Sequence, residues 1–391
     1  MRIGIDALLL HGCYSGVEHC IRDLIVALLA RQDDNDYFAY VPADADTTPF
    51  ANGRLSVRRM PFAGRRRLLR ILWQQMVLPR RILWADHIHV FHGAGYVLPM
   101  RCRVPAIVTI YDAVALVRPD LASRSNVAHY RRMLPATAQV ARRIVVPSER
   151  TKQDVMVELG VDAARIRVVP LGVRRLFGPV TDEGTLAAVR RRYELSERFF
   201  LFVGNVEPKK NLAGIARAFA QYVAEGGPPA DLVVAGAMGW APRRLFERLE
   251  PGEAAGRLRW IGYVSDSDLP ALYSMATALL FPSLYEGFGL PPLEAMACGT
   301  PAIVSDRGAL PEVVGDAAPV VRLHEVSSEL GPIGIAEELP QTMRRIAEDD
   351  AYRRKLMAAG LERAQRFTWS RHAEAVARLY DEVAEEGGTE H

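Results

Sequence analysis

Short β-rich runs alternate with helical stretches along the whole chain, and this alternation limits the possible folds more than any other feature of the sequence. In the first half, the apolar strand candidates are residues 3–5, 38–41, 55–59, 88–91, 106–110, 144–146 and 166–169. In the second half they are residues 200–203, 232–235, 258–261, 278–281, 302–305 and 319–321. Helical patterns lie between them, at residues 17–31, 68–83, 127–142, 149–159, 212–223, 268–275, 293–298 and 337–348. Such alternation is typical of parallel, doubly wound sheets. The sequence therefore predicts an α/β fold with two Rossmann-like domains and a linker near residues 170–179.

The length and composition are those of a globular protein with two domains. The chain has 391 residues, of which 49% are hydrophobic and 24% are charged, which is enough for two cores of ordinary size. No apolar run approaches the roughly eighteen residues that a membrane span needs. The N-terminus reads as a first strand, with no signal-peptide cleavage site behind an apolar stretch. We therefore expect a cytoplasmic protein.

Several chemistries lack the residues that they need. Neither predicted domain has a GxGxxG fingerprint after its first strand, which disfavours a dinucleotide-dependent oxidoreductase. No Walker loop and no Gly-x-Ser-x-Gly elbow is present, so P-loop and hydrolase functions have no support. The four cysteines and nine histidines show no metal-ligand spacing, and we expect no metal site.

The segment 285–294 carries the strongest functional pattern in the chain. Glu286 and Glu294 stand eight positions apart, with Gly287, Gly289 and two prolines between them, directly after the apolar run 278–281. A buried strand that leads into a glycine-rich loop and a proline-started helix brings backbone N–H groups close to a phosphate. Carboxylates beside such a site are suited to accepting hydrogen bonds from sugar hydroxyls. This segment therefore predicts a binding site for a nucleotide sugar.

A pair of lysines opens the second predicted domain. The chain has only four lysines beside 45 arginines, yet Lys209 and Lys210 are adjacent and follow a strand that ends at Gly204. Cations at the carboxyl end of a strand lie where ligands usually bind in α/β proteins. We predict that Lys210, with Lys209, neutralises a diphosphate; the alternative is a solvated charge pair. Asn211 is predicted to cap the next helix.

Two further loops of this domain follow strand ends. Residues 236–240 form a glycine turn that could border the same crevice, and residues 262–268 include Tyr263 and Val264, whose backbone could present donors and acceptors to a base. Ser265 and Ser267 could equally be helix caps. Each loop is a weak signal alone, but all of them are predicted at one edge of one sheet.

In the first predicted domain, His92 and Asp112 lie just past strands. His92 could donate to a hydroxyl of the acceptor or of the donor, or it could be a packed loop histidine. Asp112 could orient an acceptor hydroxyl, or it could cap the following segment. Tyr111, next to it, could also contact a sugar.

The first half of the chain is basic, with 26 Lys and Arg against 15 Asp and Glu in residues 1–180, whereas the remainder has 23 against 31. The basic segment 65–81 has an apolar stripe and contains Trp73. It could lie on an anionic membrane, or it could be an amphipathic helix that packs on its own sheet. Nucleic acid is not an expected partner, because interleaved aromatic platforms for bases are missing.

These residues resemble the family 4 retaining glycosyltransferases, which have the GT-B fold of two Rossmann-like domains. Glu286 and Glu294 are similar to the EX7E motif of that family. Residues 207–211, Glu-Pro-Lys-Lys-Asn, with Gly239 and Trp240, are similar to a Glu-Pro-Arg-Lys-Asn branch rich in mannosyltransferases that use GDP-mannose. The resemblance covers essentially the whole chain and implies an acceptor domain of residues 1–172, completed by a C-terminal helix 369–388, and a donor domain of residues 173–368.

The resemblance also implies roles for individual residues. Lys210, Glu286 and Asp112 would be the catalytic residues. The donor would be bound by Gly16 from the acceptor domain and by Gly204, Lys209, Lys210, Tyr263, Val264, Glu286, Gly287, Phe288, Gly289, Leu290 and Glu294 from the donor domain. His92 and Tyr111 would contact the acceptor or the sugar. The chain departs from the family pattern with Tyr111 where His is frequent, with Ser15-Gly16 in place of a glycine pair, and with Lys209 in place of Arg.

The expected reaction is transfer of a hexose with retention of the anomeric configuration. The cosubstrate would be GDP-mannose, no metal or other cofactor would be needed, and the acceptor would be a hydroxyl of a glycan or of a lipid-linked oligosaccharide. The alternatives are a UDP- or dTDP-sugar donor, a GT-B epimerase or phosphorylase, and a non-catalytic scaffold. The protein would be cytoplasmic, with possible contact with the inner face of a membrane.

Overall fold

A computed structural model describes residues 1–12, 15–50, 53–237, 254, 256–328 and 331–388. The chain forms two compact units. Unit 1 consists of Met1–Val117, Ser125–Gly172 and Thr368–His391, and unit 2 consists of Arg118–Arg124 and Val173–Phe367. Each unit has a parallel sheet of its own, so the predicted α/β fold with two doubly wound sheets is confirmed.

The sheet of unit 1 has seven strands in the order β3-β2-β1-β4-β5-β6-β7. They are β1 Arg2–Asp6, β2 Asp36–Val41, β3 Leu55–Arg59, β4 Val90–Gly93, β5 Ala106–Thr109, β6 Arg143–Val146 and β7 Ile166–Val168. All neighbouring pairs run parallel. The central strands are buried along nearly their whole length, as expected for a parallel sheet that is covered on both faces.

The helices of unit 1 lie between its strands or after the last of them. They are Gly16–Leu29, Arg67–Met76, Leu78–Arg80, Val114–Val117, Arg124–Val140, Glu149–Leu159 and the C-terminal helix Trp369–Gly388, with a π turn at Arg81–Ala85 and 3₁₀ turns at Thr48–Phe50 and Ala163–Arg165. Ser15 and Ser148 accept a hydrogen bond from a backbone N–H three residues on, which is the usual helix cap. The C-terminal helix packs on Gly16–Leu29 and on β4, β5 and β6.

The sheet of unit 2 has six strands in the order β10-β9-β8-β11-β12-β13, again all parallel. The strands are β8 Phe199–Val203, β9 Asp231–Ala235, β10 Leu258–Gly262, β11 Ala278–Phe281, β12 Ala302–Ser305 and β13 Val320–Val321. The helices are Glu183–Arg192, Leu212–Ala224, Leu269–Met275, Leu290–Ala297, Leu310–Val314, Leu339–Glu348 and Asp350–Ala364, with 3₁₀ turns at Pro119–Leu121, Pro208–Lys210 and Gly315–Ala317. An antiparallel hairpin, β14 His324–Ser328 and β15 Gly331–Ile335, follows β13.

Most predicted helices differ from the observed ones at one or both ends, and in two of them a proline explains the difference. The stretch predicted as one helix over residues 68–83 is divided into Arg67–Met76, Leu78–Arg80 and the π turn Arg81–Ala85, because Pro79 lacks the N–H that a continuous helix needs. The helix predicted to begin at residue 293 begins at Leu290 and includes both prolines in its first turn, where a missing N–H does not break a helical hydrogen bond.

Candidate active site

Three glycines form a row at the carboxyl edge of the unit 2 sheet. Gly204, Gly236 and Gly262 end or directly follow the adjacent strands β8, β9 and β10, with φ angles of 150°, 149° and 72°. The N–H of Gly204 donates to Ala235 O at 2.9 Å, and the N–H of Gly236 donates to Gly262 O at 2.7 Å. A Cβ on Gly236 would lie 2.0 Å from Gly204 O. The row therefore requires glycine at its centre, and it presents backbone without side chains at the edge where ligands of α/β proteins bind.

Lys210 and Glu286 meet at this edge. Lys210 is the last residue of the turn Pro208–Lys210, and Glu286 lies in the loop after β11. Lys210 Nζ donates to Glu286 Oε1 at 2.6 Å, and the two side chains are 13% and 9% exposed. Lys210 Nζ also lies 4.8 Å from the centre of the Phe281 ring. Residues that are 76 positions apart in the chain thus form a nearly buried ion pair.

The ionisation of Glu286 is governed by two opposing effects. Burial raises the pKa of this carboxyl group, whereas the ammonium groups of Lys210 and Lys209 and the hydrogen bond from Lys210 lower it. The cations prevail, and the pKa of Glu286 lies below its usual range. Glu286 is therefore a carboxylate at neutral pH, and its oxygens accept hydrogen bonds.

Asn211 holds the lysine turn in place. It has a φ of 56°, which Asn tolerates better than most residues. Its Nδ2 donates to Pro282 O at 3.0 Å and to Gly334 O at 2.9 Å, and its Oδ1 accepts from the Gly334 N–H at 2.9 Å. The prediction that its side chain caps the next helix is wrong: Asn211 occupies the cap position, but its side chain makes no capping hydrogen bond. The amide instead joins the turn to the end of β11 and to the hairpin.

The backbone of Glu286 is held by a loop that the sequence analysis did not single out. The Ala309 N–H donates to Glu286 O at 2.9 Å. Gly308 has a φ of 60°, and a Cβ there would lie 2.3 Å from Glu286 O. The available sequence signal was a glycine three residues after the end of β12, since a glycine past a strand end often marks a close backbone approach. Gly308 thus fixes the position of Glu286.

The glycine-rich loop ends at the N-terminus of helix Leu290–Ala297. Gly289 occupies the cap position with a φ of 109°, and a Cβ there would lie 2.6 Å from Leu310 Cδ2. Gly287 is buried, and the buried Phe288 ring packs edge-on against Phe367. Pro291 and Pro292 have no N–H, so the half-buried Leu290 supplies the first amide of the helix. The amides of Phe288, Gly289 and Leu290 are therefore the donors nearest to this terminus.

Glu294 lies one turn into the same helix and is 9% exposed. The Tyr273 hydroxyl donates to Glu294 Oε2 at 3.0 Å, and Arg174 Nη2 lies 4.0 Å from Glu294 Oε1. Burial and the charge of Glu294 raise the pKa of Tyr273 well above its ordinary value, so the tyrosine stays a donor. Arg174 also donates to Asp266 Oδ2 at 2.6 Å. The contacts with Tyr273 and Arg174 hold the Glu294 carboxylate in place.

The loop after β10 places the remaining predicted donor residues. Tyr263 is 54% exposed, and Val264 is 6% exposed. Ser265 Oγ accepts from the Asp268 N–H at 3.3 Å, and the hydroxyls of Ser265 and Ser267 lie 2.8 Å apart. Ser265 thus caps the turn before the helix Leu269–Met275, whereas the cap position of the helix itself is Asp268, without a side-chain hydrogen bond. Gly239 and Trp240 lie outside the described residues.

His92 does not have the predicted role. It lies inside β4 and is 0% exposed, with Nδ1 2.8 Å from the Tyr380 hydroxyl and Nε2 2.8 Å from Thr109 Oγ1. Burial and the neighbouring His372 lower the pKa of His92 to about 3. Because both ring nitrogens are used inside the core, an acceptor contact by His92 is contradicted, and the packed alternative is correct.

Tyr111 and Asp112 are likewise tied to their own unit. The Tyr111 hydroxyl donates to Ala94 O at 3.0 Å, and the side chain is 7% exposed, so the predicted sugar contact by this hydroxyl is wrong. Asp112 Oδ1 accepts from the Val114 N–H at 3.1 Å, and Oδ2 accepts from the Tyr96 hydroxyl at 3.1 Å. Asp112 therefore caps the following segment, which was its alternative assignment, and because it is partly exposed its role toward an acceptor hydroxyl stays a prediction.

Gly16 begins the first helix of unit 1, and among the described residues no atom beyond its chain neighbours and its own helix backbone lies within 4 Å of where its Cβ would be. Ser15 caps this helix, and Glu18 Oε1 accepts from the Gly12 N–H at 2.7 Å. Gly16 thus lies at a helix N-terminus, and its contact with the donor diphosphate stays a prediction.

Comparison with known proteins decides the family. The family described as "Glycosyl transferases group 1" matches residues 189–363, and "Glycosyltransferase Family 4" matches residues 14–175. The chain is 31% identical over 338 residues to the O-antigen chain mannosyltransferase B of Escherichia coli, a match that covers 85% of this chain and 84% of the relative. The chain belongs to the glycosyltransferases of group 1 and family 4.

Two more proteins are similar to this glycosyltransferase. The serotype-specific mannosyltransferase WbdA of Escherichia coli is 29% identical over 60% of this chain and 28% of its own length. Sucrose-phosphate synthase from Thermosynechococcus elongatus is similar in structure, with a TM-score of 0.76 and 20% sequence identity over 98% of this chain and 99% of that chain. The predicted GT-B fold is thereby confirmed.

The described part of the glycosyltransferase lacks two kinds of feature. No helix there is both long and apolar enough to cross a bilayer. No group of three or more His, Cys, Asp or Glu side chains in the same residues is arranged to hold a metal ion.

Proposed function

We propose that this glycosyltransferase moves mannose from GDP-mannose to a hydroxyl of a glycan or lipid-linked oligosaccharide, with retention of configuration and without a metal. The observation that carries the proposal is the nearly buried pair of Lys210 and Glu286, 2.6 Å apart, beside the glycine row and the loop 286–290. Mannose as the sugar is supported by the two relatives named as mannosyltransferases.

The pair of charges suits the two ends of a sugar diphosphate. An ammonium group has three N–H donors, so Lys210 can keep Glu286 and still donate to phosphate oxygens. The carboxylate of Glu286 can accept hydrogen bonds from hydroxyls of the mannose ring. The Lys210–Glu286 contact thus sets the distance between a phosphate subsite and a sugar subsite.

Bond cleavage leaves negative charge on the departing diphosphate. The Lys210 ammonium, Lys209 beside it and the amides of residues 288–290 would stabilise that charge, and the dipole of the helix Leu290–Ala297 adds to the effect. These groups supply the neutralisation that a metal supplies in other enzymes, and we propose that the nucleotide sugar is the only cosubstrate. Glu294, oriented by Tyr273, would accept hydrogen bonds from the ribose.

The proposed location follows from the acceptor. A lipid-linked oligosaccharide is presented at a membrane, and the basic segment 65–81 supports peripheral attachment of this cytoplasmic protein to an anionic inner face. Asp112, which is partly exposed at the carboxyl edge of the unit 1 sheet, is the residue that we propose to orient the acceptor hydroxyl.

Turnover across donors tests the proposal. Purified protein is incubated with GDP-mannose, UDP-glucose and a dTDP-sugar, and release of each nucleoside diphosphate is measured together with thermal stabilisation by GDP, UDP and dTDP. We expect release from GDP-mannose and the largest stabilisation by GDP. Turnover of UDP-glucose without GDP-mannose would replace the donor assignment. Absence of both turnover and stabilisation would favour a non-catalytic scaffold.

A further inference from the structure

Unit 1 carries a row of exposed apolar side chains within a short part of the chain. Thirteen large hydrophobic residues are exposed among the described residues, and five of them fall within residues 68–84. This apolar row consists of Leu68 (77% exposed), Leu72 (58%), Met76 (53%), Val77 (40%) and Trp84 (71%). Scattered apolar residues on a surface need no explanation, but such a concentration marks an interaction surface.

The helix Arg67–Met76 shows how the row arises. Leu68, Leu72 and Met76 are spaced by four residues and so lie on one face. Other side chains attach the helix to unit 1: Gln74 Nε2 donates to Asp6 Oδ2 at 2.6 Å, and Arg70 Nη1 donates to Gly64 O at 2.8 Å. One face is thus held by the unit, and a second, apolar face is left to solvent.

Trp84, and not Trp73, is the exposed tryptophan in this part of unit 1. Trp73, which the sequence analysis placed on the surface helix, is 5% exposed and packs into unit 1. Trp84, in the π turn Arg81–Ala85, is 71% exposed. Tryptophan favours the interface between water and lipid, where its ring is in an apolar layer and its N–H reaches water.

The chain segment that contains the row carries charges of a single sign. Residues 47–85 contain nine arginines and no aspartate or glutamate. Arg65 and Arg66 before the helix and Arg80 after it are exposed. Arginines that flank an apolar row match a surface of anionic headgroups over an acyl layer.

We infer that the apolar row and Arg65, Arg66 and Arg80 form a docking surface for an anionic lipid bilayer. A second copy of the chain fits the surface less well, because a two-fold interface would bring the same acid-free, arginine-rich segment against itself. The inference rests on the proposed function in one respect only: the function gives the reason for docking to a bilayer, which is access to a lipid-borne acceptor. Its test requires no turnover.

Vesicle binding tests the inference. Full-length protein is sedimented with vesicles of phosphatidylcholine alone and of phosphatidylcholine mixed with phosphatidylglycerol, at low and at high salt. The variant with Leu72→Gln and Trp84→Gln removes apolar contacts, and the variant with Arg65→Gln and Arg66→Gln removes charge. Val157→Gln is the matched control, because Val157 is also 77% exposed on unit 1 but lies outside the row.

We expect binding to the phosphatidylglycerol vesicles that weakens with salt. The apolar variant should bind at least about tenfold more weakly, since each buried methylene contributes to interfacial binding. The arginine variant should lose on the order of thirtyfold in affinity for anionic vesicles only. Val157→Gln should bind as the wild type does.

Three results would overturn the inference. They are no vesicle binding by the wild type, binding that the apolar variant retains in full, and a wild-type dimer in sedimentation velocity that the apolar variant abolishes, which would make a second copy the occupant. Release of GDP from GDP-mannose is measured with the same variants, so that a failure of the inference can be distinguished from a failure of the proposed function. If vesicle binding is lost and release persists, the docking surface stands, whereas loss of release in the wild type contradicts the proposed function alone.

Discussion

The carboxyl edges of the two sheets both carry polar residues that the sequence analysis selected, yet the two edges are built differently. At the edge of unit 2, Lys210 and Glu286 form a nearly buried ion pair beside the glycine row. At the edge of unit 1, His92 and Tyr111 have their polar atoms engaged by Tyr380, Thr109 and Ala94. The position of a residue at a strand end is therefore insufficient evidence for a function. The hydrogen-bond partners of its polar atoms decide whether those atoms are available to a ligand.

The carboxylates of the two edges show the same contrast. Asp6 ends β1, and burial raises its pKa to about 6 even though Gln74, Leu8 and Arg70 lower it. Burial acts on Glu286 in the same direction, but two ammonium groups reverse the result. The lysine pair is thus what keeps a buried carboxylate charged in unit 2.

Replacement of Lys210 has the largest expected effect and tests whether the unit 2 edge is the reactive one. Lys210→Ala removes the charge that faces the leaving diphosphate, so turnover of the donor should fall by roughly a hundredfold or more. Lys355→Ala is the control, since Lys355 is an exposed lysine of the same unit. Equal rates for Lys210→Ala and Lys355→Ala would remove Lys210 from the site.

Replacement of His92 tests whether the unit 1 edge is structural. His92→Ala leaves a cavity and two hydroxyls without their partner, and the free energy of unfolding should fall by about 2 kcal/mol. Urea denaturation measures this loss, and Tyr380→Phe, which removes one hydroxyl, should lose less. Donor turnover at a temperature where the variant is folded should stay near the wild-type rate. A large fall in turnover by folded His92→Ala would restore a functional role.

Features that depend on residues close together in the chain could be predicted from the sequence, whereas features that depend on distant residues could not. The strands 55–59, 278–281 and 302–305 were predicted with the bounds that the structure has, and the strand predicted at 232–235 begins one residue earlier, because local β propensity and flanking turns define them. The hairpin β14–β15 was not predicted, since β14 is exposed along its whole length and lacks an apolar pattern. The helices Glu183–Arg192 and Asp350–Ala364 were also missed.

The site shows the same dependence. Glu286, Glu294 and the lysine pair were selected by spacing and residue type, but their mutual distance depends on partners far along the chain. Asn211 bonds to Gly334, 123 residues away, and Gly308 packs against Glu286. No local pattern could reveal those contacts. His92 likewise has a structural role because its ring contacts a residue far along the chain, Tyr380.

Replacement of Asn211 should have a smaller effect, and it tests whether the unit 2 edge needs Lys210 to be held in place. Asn211→Ala removes the hydrogen bonds to Pro282 and Gly334 while it leaves Lys210 and Glu286 in the chain. We expect kcat for donor turnover to fall about tenfold through misplacement of Lys210, with the pH profile of kcat displaced as well. A variant that is less stable but has an unchanged kcat and pH profile would show that Asn211 acts only on folding.

The pH dependence of stability should differ between the two edges. The pKa of His92 is lowered to about 3 and that of His372 to about 4, chiefly by burial. The unfolded state therefore binds more protons than the folded state below about pH 6.5. Stability of wild-type protein should fall progressively as the pH is lowered from 7 toward 4, more than in His92→Leu.

The smallest expected effect concerns Glu286. Because its folded pKa is lowered, the ionised carboxylate contributes stability that is present above the unfolded pKa and is lost as the pH falls through the folded value. The difference in unfolding free energy between wild type and Glu286→Gln should therefore shrink as the pH falls below about 4.5. A difference that grows toward acid pH would mean that the lysines do not hold the carboxylate ionised.

The central claim is that the Lys210–Glu286 edge of unit 2 binds the diphosphate of a nucleotide sugar. Titration calorimetry of GDP against wild type, Lys210→Ala and Lys355→Ala tests it most directly. The account predicts equal dissociation constants for wild type and Lys355→Ala and a constant at least about tenfold higher for Lys210→Ala. An unchanged dissociation constant in folded Lys210→Ala would contradict it.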